Sequence, residues 1–447
     1  MNKKIAMPLF LLFLIASCLT IPLPVKAQAR TIIVPDDFLM ISDAIQNATD
    51  GDTVLVKRGT YYESTLTIDK AIWLKGEDPL TTKINLNPKW IEYENPIPFQ
   101  WDQQPHYENA LDVIANDVKI SGFFINNNVT SMGGLYVVVG NRTQITGNII
   151  QNNAFHLSGS YQVFALNTVN GSIECYSSQY NVIAGNKVSG DIWVNNPSEF
   201  MVAPHITNLI CGNTVTNGNG IAVGGDGNVI FNNKVMNNSY GIGTAIYASY
   251  CIFCSNKVIN NDIGIRGTSE GHDNSFFGNQ VTGNHYGVII ANIWGIGKNN
   301  VLYHNNFVNN SKQVNTDRVI VGTDRNWTAY HGGSFDNGAN GNYWSNYNGT
   351  DANHNGLGDV PYVIDANRRD NYPFTAPFNI SSVSINLPEW ASAYSAVVYK
   401  EPPLEPQASL PQVQESFPVN PVIILVSLAA IVSIGLTAYF KRLKRNC

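Results

Sequence analysis

Apolar and polar positions recur along the middle of this chain in a fixed order. An apolar pair is followed by a small residue, an Asn, any residue, Val or Ile, and then Asn or Gly. The pattern reads ITGNIIQNN from 145, IAGNKVSG from 183, ICGNTVTN near 210, IFNNKVMNN from 230, FCSNKVINN from 253, FFGNQVTGN from 276 and LYHNNFVNN from 302. Weaker copies near 120 and 164 extend it, and the Asn mark returns every 19–27 residues. A second mark keeps step: Gly220–Ile221, Gly241–Ile242, Gly264–Ile265 and Gly287–Val288 follow their Asn by seven or eight residues.

Two marks in register at this period imply one structural coil per repeat. Each repeat holds short strand patterns and is too short for two helices. The prediction is an all-β, right-handed parallel β-helix, its coils stacked about 4.8 Å apart. Val188, Val215, Val235, Val258 and Val281 are expected to form an aliphatic core ladder. Asn186, Asn213, Asn233, Asn256 and Asn279 are expected to stack at a bend, where their amides satisfy stranded backbone groups. A leucine-rich horseshoe has a similar period but demands fixed leucines that these coils lack.

The ends of such a stack need covers. In DDFLMISDAIQNATDGDTVLV, Phe38, Ile41, Ile45 and Ala48 share one helical face. This predicts an N-terminal helical cap that feeds a first strand at Thr53–Val56.

Composition changes the picture mainly at the termini. Net charge is −6 with 13% charged residues, and no basic patch points to nucleic acid. Residues 1–29 read as a signal peptide: Lys3 and Lys4, an apolar run, then Ala27–Gln28–Ala29. A lipoprotein-type site at Cys18 is the alternative. The uncharged run 421–440 is the length of a bilayer-spanning helix and is followed by Lys-Arg-Leu-Lys-Arg. The expected placement is a single-pass cell-membrane protein with an extracellular ectodomain and a cytoplasmic tail at 441–447. Residues 401–420, with five prolines, form a stiff spacer. Between these ends the expected segments are an N-terminal cap and first coils (30–118), repeats (119–330), a closing segment (331–378) and a terminal strand or edge region (379–400). Four ectodomain cysteines in so long a chain are not a disulfide scaffold.

The run AIQNATDGDTVLVKRGTYYESTLTIDKAIWLKGE and the distal segment GNYWSNYNGTDANHNGLGDVPYVIDANRRDNYPF resemble the opening and closing motifs of NosD-like proteins. These sit within the carbohydrate-binding and sugar-hydrolase group of the pectin-lyase-like fold. The resemblance spans about residues 31–378. It implies a secreted β-helix, often surface-displayed, with a copper-handling or polysaccharide role.

Chemistry is sparse in the repeats. Residues 119–310 hold seven acidic groups, whereas hydrolases and lyases of this shape need clustered carboxylates. Asp226 and Asp273 lie at similar registers two coils apart. Arg266, Glu270, His272 and Asp273 form the one mixed loop with catalytic character, set against a solvated turn. Lys234 and Lys257 share a register and face outward, as an anionic-glycan contact or as solubilising charge. An aromatic insertion at 87–110 supplies Trp90, Tyr93, Phe99, Trp101 and Tyr107, either for sugar faces or as cover for the coil. Cys251 and Cys254 have metal-like spacing but should point to opposite faces of a strand. They read as small core residues, and copper is not expected from them. Nine Asn-x-Ser/Thr sequons, at Asn47, Asn128, Asn141, Asn170, Asn237, Asn309, Asn326, Asn348 and Asn379, offer glycosylation sites. In DANHNGLGD, Asp351, Asn353, Asn355, the Leu357 carbonyl and Asp359 match the first five ligand positions of a calcium loop. The twelfth position is Tyr362, not Glu, so a structural calcium ion competes with a side-chain-capped turn.

The resulting expectation is a surface β-helix that binds carbohydrate or cell-envelope polymer without catalysis. A polysaccharide lyase, hydrolase or epimerase and a copper-handling accessory protein are the alternatives.

Overall fold

In the computed structural model, residues 28–92, 106–129, 136–152, 154–195, 206–245, 247–267, 271–290, 299–315 and 333–399 are described. Apart from Gln28 and Ala29, the expected signal peptide lies outside these residues, as do the Pro-rich spacer, the apolar run 421–440 and the basic tail. Among the described residues no helix is long and apolar enough to cross a membrane.

Three parallel sheets form the body, two of twelve strands and one of eleven. Each coil contributes one strand to each sheet: Val229–Phe231 to sheet A, Lys234–Met236 to sheet B and Tyr240–Thr244 to sheet C. Successive coils pair in strict register, as in Thr214↔Lys234↔Lys257↔Gln280 along sheet B. The chain is therefore a parallel β-helix.

The bends explain the Asn and Gly content. In one coil Asn232, Asn237 and Tyr250 take φ values of +54°, +57° and +55°. Left-handed backbone is costly for most side chains and least so for Gly and Asn. The expected valine ladder is buried throughout, with Val188, Val215, Val235, Val258 and Val281 at 0% exposure. Aromatic rings continue the core, with Phe253 and Phe276 stacked at 4.3 Å.

The Asn ladder lies beside it. Asn213 Nδ2 donates to Asn233 Oδ1 (3.0 Å), Asn233 to Asn256 (3.0 Å) and Asn256 to Asn279 (2.9 Å). Each Nδ2 also donates to a carbonyl of the preceding coil, as Asn233 does to Ile210. The weak copy at 123 has Phe where the ladder has Asn, and Phe123 N–H donates to Asn148 Oδ1. Two further amide ladders were not anticipated: Asn238–Asn261–Asn284–Asn310, and Asn274–Asn300 with Asn181–Asn208–Asn228.

Helix α1 (Ile41–Asn47) buries Ile41, Ala44 and Ile45 against the first strands of the three sheets. The Glu63 carboxylate accepts the Ile41 N–H at its start. The chain does not begin its strands at Thr53. Thr31–Val34 precedes α1 and pairs with Thr53–Val56, because its own alternating apolar residues complete sheet A.

At the other end, Trp344 is fully buried between Phe307 (4.5 Å) and Tyr362 (4.6 Å). Asp370 accepts N–H groups of Asn342 (2.7 Å) and Trp344 (2.8 Å), so a carboxylate terminates the long amide ladder.

Residues 379–399 correct the expected terminal strand. They form a 3-10 turn at Ile380–Ser382 and a short helix at Glu389–Ser392, with no strand among the described residues. This strap runs back along the outside of sheet A. Ile385, Leu387, Trp390, Ala391, Tyr394 and Val397 cover two outward apolar rows, Val182–Leu209–Val229 and Ala184–Cys211–Phe231. A second, smaller hydrophobic layer results. Cys211 belongs to it, and not to the coil interior, because its strand position points outward.

Candidate functional site

Alternation along a strand sends every second residue outward, and stacking turns these residues into rows. The three outer faces differ. Sheet A is covered by the strap over its middle strands, while Trp73 near its start stays exposed. Between sheets A and B the connections are tight, with two residues separating Phe231 from Lys234. The longer connections are those that join sheet C to the other two sheets. They run from Leu86 to Leu111 and from Asn127 to Tyr136 on one side, and from Asn195 to Asn208, Gly267 to Ser275 and Ile290 to Val301 on the other. Binding groups on solenoids concentrate where loops border a regular face.

The central outward row of sheet C reads Asp112, Val137, His156, Glu174, Trp193, Ala222, Gly243, Arg266. His156 Nε2 lies 2.9 Å from Glu174 Oε2. Tyr176 Oη donates to the same oxygen at 2.8 Å and meets the His156 ring edge-on at 5.6 Å. The bond from His156 holds the Glu174 carboxyl below its usual range, against burial and with help from Tyr176. Burial, and then Glu174, pushes the Tyr176 hydroxyl up to about 12. Glu174 is therefore a carboxylate held by two donors, and Tyr176 stays protonated. Trp193, one coil on, is 36% exposed. Burial raises the Asp112 carboxyl, opposed by the bond from Asn109 and reinforced by Glu108.

This constellation was missed from sequence, although a signal existed. Aligning coils on their Asn marks places His156, Glu174 and Trp193 seven or eight residues after Asn148, Asn167 and Asn186. Taken singly, each looks like an isolated polar or aromatic residue.

The mixed loop is not one site. Arg266 faces outward on sheet C with its guanidinium 4.5 Å from the Tyr240 ring. His272 and Asp273 bond each other at 2.7 Å beyond the end of that strand, and Glu270 lies outside the described residues. The register partner of Asp226 is Ser249, followed by His272, so Asp226 and Asp273 do not align. Burial raises the Asp226 carboxyl, opposed by His272 and Ser249.

Lys234 and Lys257 are register neighbours on the outside of sheet B, as expected. Trp90 and Tyr107 come together in a two-stranded hairpin, ring centroids 4.8 Å apart, while Tyr93 and Trp101 lie outside the described residues. Beside the hairpin, Tyr62, Asn85, Asn87, Lys89 and Asn128 border an open recess of about 440 Å³.

In the calcium-like loop, the Asp351 oxygens accept N–H groups of Asn355 (3.0 Å) and Gly356 (2.9 Å). Asn353 accepts from Asn355, Asn355 from Leu357, and Asp359 from Ala352. The oxygens on offer to a cation thus also cap the turn. Of the sequons, Asn47, Asn128, Asn170, Asn237, Asn309, Asn348 and Asn379 are exposed and Asn141 is half-buried; Asn326 lies outside the described residues.

The cysteines do not fit a copper ion. Cys251 points into the coil, donating to the Gly225 carbonyl, while Cys254 lies in the outward row of sheet A behind Phe231. Burial pushes both thiols up to about 12, away from the thiolate a soft metal needs. Among the described residues no three His, Cys, Asp or Glu side chains gather around one point.

No curated protein matches the chain at a meaningful level. The A-module of the Azotobacter vinelandii mannuronan C-5 epimerase AlgE6 is similar at 16% identity, covering 62% of this chain and 90% of that one, with a TM-score of 0.40. The catalytic domain of GH87 alpha-1,3-glucanase in complex with nigerose is similar at 14% identity, covering 68% and 63%, with a TM-score of 0.44. The Dettilon tailspike protein is similar at 12% identity, covering 62% of each chain, with a TM-score of 0.40. The assignment of fold rests on the strand register itself. Residues 165–349, less than half of the chain, match the family model described as "Periplasmic copper-binding protein (NosD)", so this parallel β-helix is NosD-like across its central and later coils.

Proposed function

We propose that this protein binds carbohydrate polymer along the outer face of sheet C, displayed outside the cell by the apolar run 421–440. One observation carries the reading: an exposed indole, Trp193, stands in the same row as His156 and Glu174, which Tyr176 of the same strand joins into a prearranged polar set. An aromatic face packs against the C–H face of a sugar ring, and fixed donors and acceptors beside it take the hydroxyls. Trp90 and Tyr107 form a separate aromatic surface in their hairpin. Helix α1 covers the first coil and closes the stack there.

The carboxylates argue against a hydrolase centred here. Asp112 and Glu174 are three coils apart in one row, about 14 Å. Paired glycosidase carboxylates stand roughly 5–9.5 Å apart. A second reading, sugar-polymer proton transfer, is favoured only by the His156–Glu174–Tyr176 contacts. Affinity electrophoresis against a panel of polysaccharides tests the first reading. Trp193→Ala is expected to abolish retardation while Lys257→Ala leaves it intact. Retardation unchanged by Trp193→Ala would remove the proposed face. Release of unsaturated, shortened or epimerised product by the parent, lost in Glu174→Gln, would favour the second reading.

A further inference from the structure

The row that carries Trp193 and Glu174 does not end with them. Beyond Trp193 its next two residues are Ala222 and Gly243, and then Arg266. Small side chains leave a floor between an indole and a guanidinium three coils away, about 14 Å. Gly243 cannot carry a side chain without local rearrangement, since a Cβ there meets the Arg266 carbonyl oxygen at 2.2 Å. The gap is thus built into the sheet.

Arg266 is prepared for an anion. Its guanidinium lies over the Tyr240 ring at 4.5 Å, which fixes its plane and leaves its N–H edge to point elsewhere. No carboxylate pairs with it among the described residues, whereas Arg30, Arg142 and Arg368 each hold an aspartate. The neighbouring outer positions are again aromatic and basic: Lys312 lies 5.5 Å from the Tyr286 ring, and Tyr286 shares a row with Ile263 and Tyr240. The opposite end of the face is acidic, with Asp112, Glu108 and Glu174. Glu174 is already engaged by His156 and Tyr176. A ligand bearing negative charge is therefore oriented, with its charge at the Arg266 end and its neutral ring faces at Trp193.

We propose that the polymer bound on sheet C is an acidic polysaccharide. One sugar ring stacks on Trp193, the chain crosses the floor at Ala222 and Gly243, and a carboxylate or sulfate a few rings along is taken by Arg266. A planar guanidinium matches either group through two parallel N–H bonds. The proposal rests on the carbohydrate reading of the same face and specifies its substrate class.

The test is calorimetric titration of the full-length chain with three probes of equal length: a neutral tetrasaccharide, a uronate tetrasaccharide and a sulfated tetrasaccharide. The proposal predicts that at least one acidic probe binds tenfold or more tighter than the neutral one, and that the excess falls as salt is raised. Arg266→Ala is expected to bring the acidic probe down to the neutral affinity while leaving the neutral affinity unchanged. Arg266→Lys should retain part of the excess, which guards against a variant that merely misfolds. Preference for uronate over sulfate, or the reverse, identifies the group. Equal binding of all three probes, or an acidic preference that survives Arg266→Ala, overturns this proposal and leaves carbohydrate binding standing. Binding of any probe that is unaffected by Trp193→Ala removes the sheet C reading and this proposal with it.

Discussion

Asn233 shows how much structure one side chain holds. Its backbone N–H and its Nδ2 both donate to Asn256 Oδ1, Nδ2 also donates to the Ile210 carbonyl, and its Oδ1 accepts from Asn213. Replacing it with Ala strands a buried carbonyl and two buried donors. Each stranded group costs roughly 1–3 kcal/mol, and relaxation returns part of it. Asn233→Ala is therefore expected to lower stability by about 2–4 kcal/mol in urea denaturation, whereas the exposed Lys257→Ala in the next coil should change it by less than about 0.5 kcal/mol. Asp370 is the matching end group. Burial pushes its carboxyl up to about 6, against the pull of Trp344, Asn342 and Tyr372 and with Asp336 adding to the rise. The folded state therefore keeps a proton that the unfolded chain releases near pH 4. The stability this contributes is complete below about pH 4 and is lost as pH rises through about 6, on the order of 2–3 kcal/mol. Asp370→Asn should flatten that window in a melting-temperature profile; an unchanged profile would show that another group sets it. The ladder asparagines were legible in the sequence because their spacing repeats. Asp370 was not, because nothing local marks a carboxylate 28 residues after Asn342 as its partner.

At the scale of elements, the strap illustrates a different limit. Residues 379–399 alternate apolar and polar residues irregularly, so neither a strand nor a helix period reveals them. Their partner surface, the outward row of sheet A, is equally hidden: Ala184, Cys211 and Phe231 fall at positions where other coils place polar residues. Only the meeting of the two makes either intelligible. The strap predicts a reactivity. Cys211 is fully buried beneath it, with its Sγ 3.3 Å from the Tyr394 carbonyl oxygen. Ala391, also fully buried, seats the short helix on sheet A. Ala391→Asp places a charge in that layer and should lift the strap. Maleimide labelling followed by peptide mapping is expected to show Cys211 inert in the parent and modified in the variant. Cys251, inside the coil, should stay inert in both. Equal labelling of Cys211 in parent and variant would contradict the covering role. Sheet C followed the same logic as the ladders, since its row could be read by aligning coils. Its residues differ from coil to coil, however, and repetition is what makes a sequence pattern visible.

The whole molecule is a stack with three unlike sides. One outer face is covered over its middle strands by the strap, one is tightly turned and carries Lys234 and Lys257, and one is joined to its neighbours by the longer connections and carries the polar and aromatic row. The stack itself was evident from the period of the Asn and Gly marks. Which side faces a ligand was not, because it depends on where the strap lies and on the register that brings His156, Glu174 and Trp193 together. A crystal structure of the protein with a bound oligosaccharide would locate the ligand outright. Sugar density is expected on the outside of sheet C, with a ring over Trp193 and the chain running along the stack axis toward Arg266. Density seated instead on sheet B at Lys234 and Lys257, or confined to the Trp90–Tyr107 hairpin with Trp193 left bare, would contradict it.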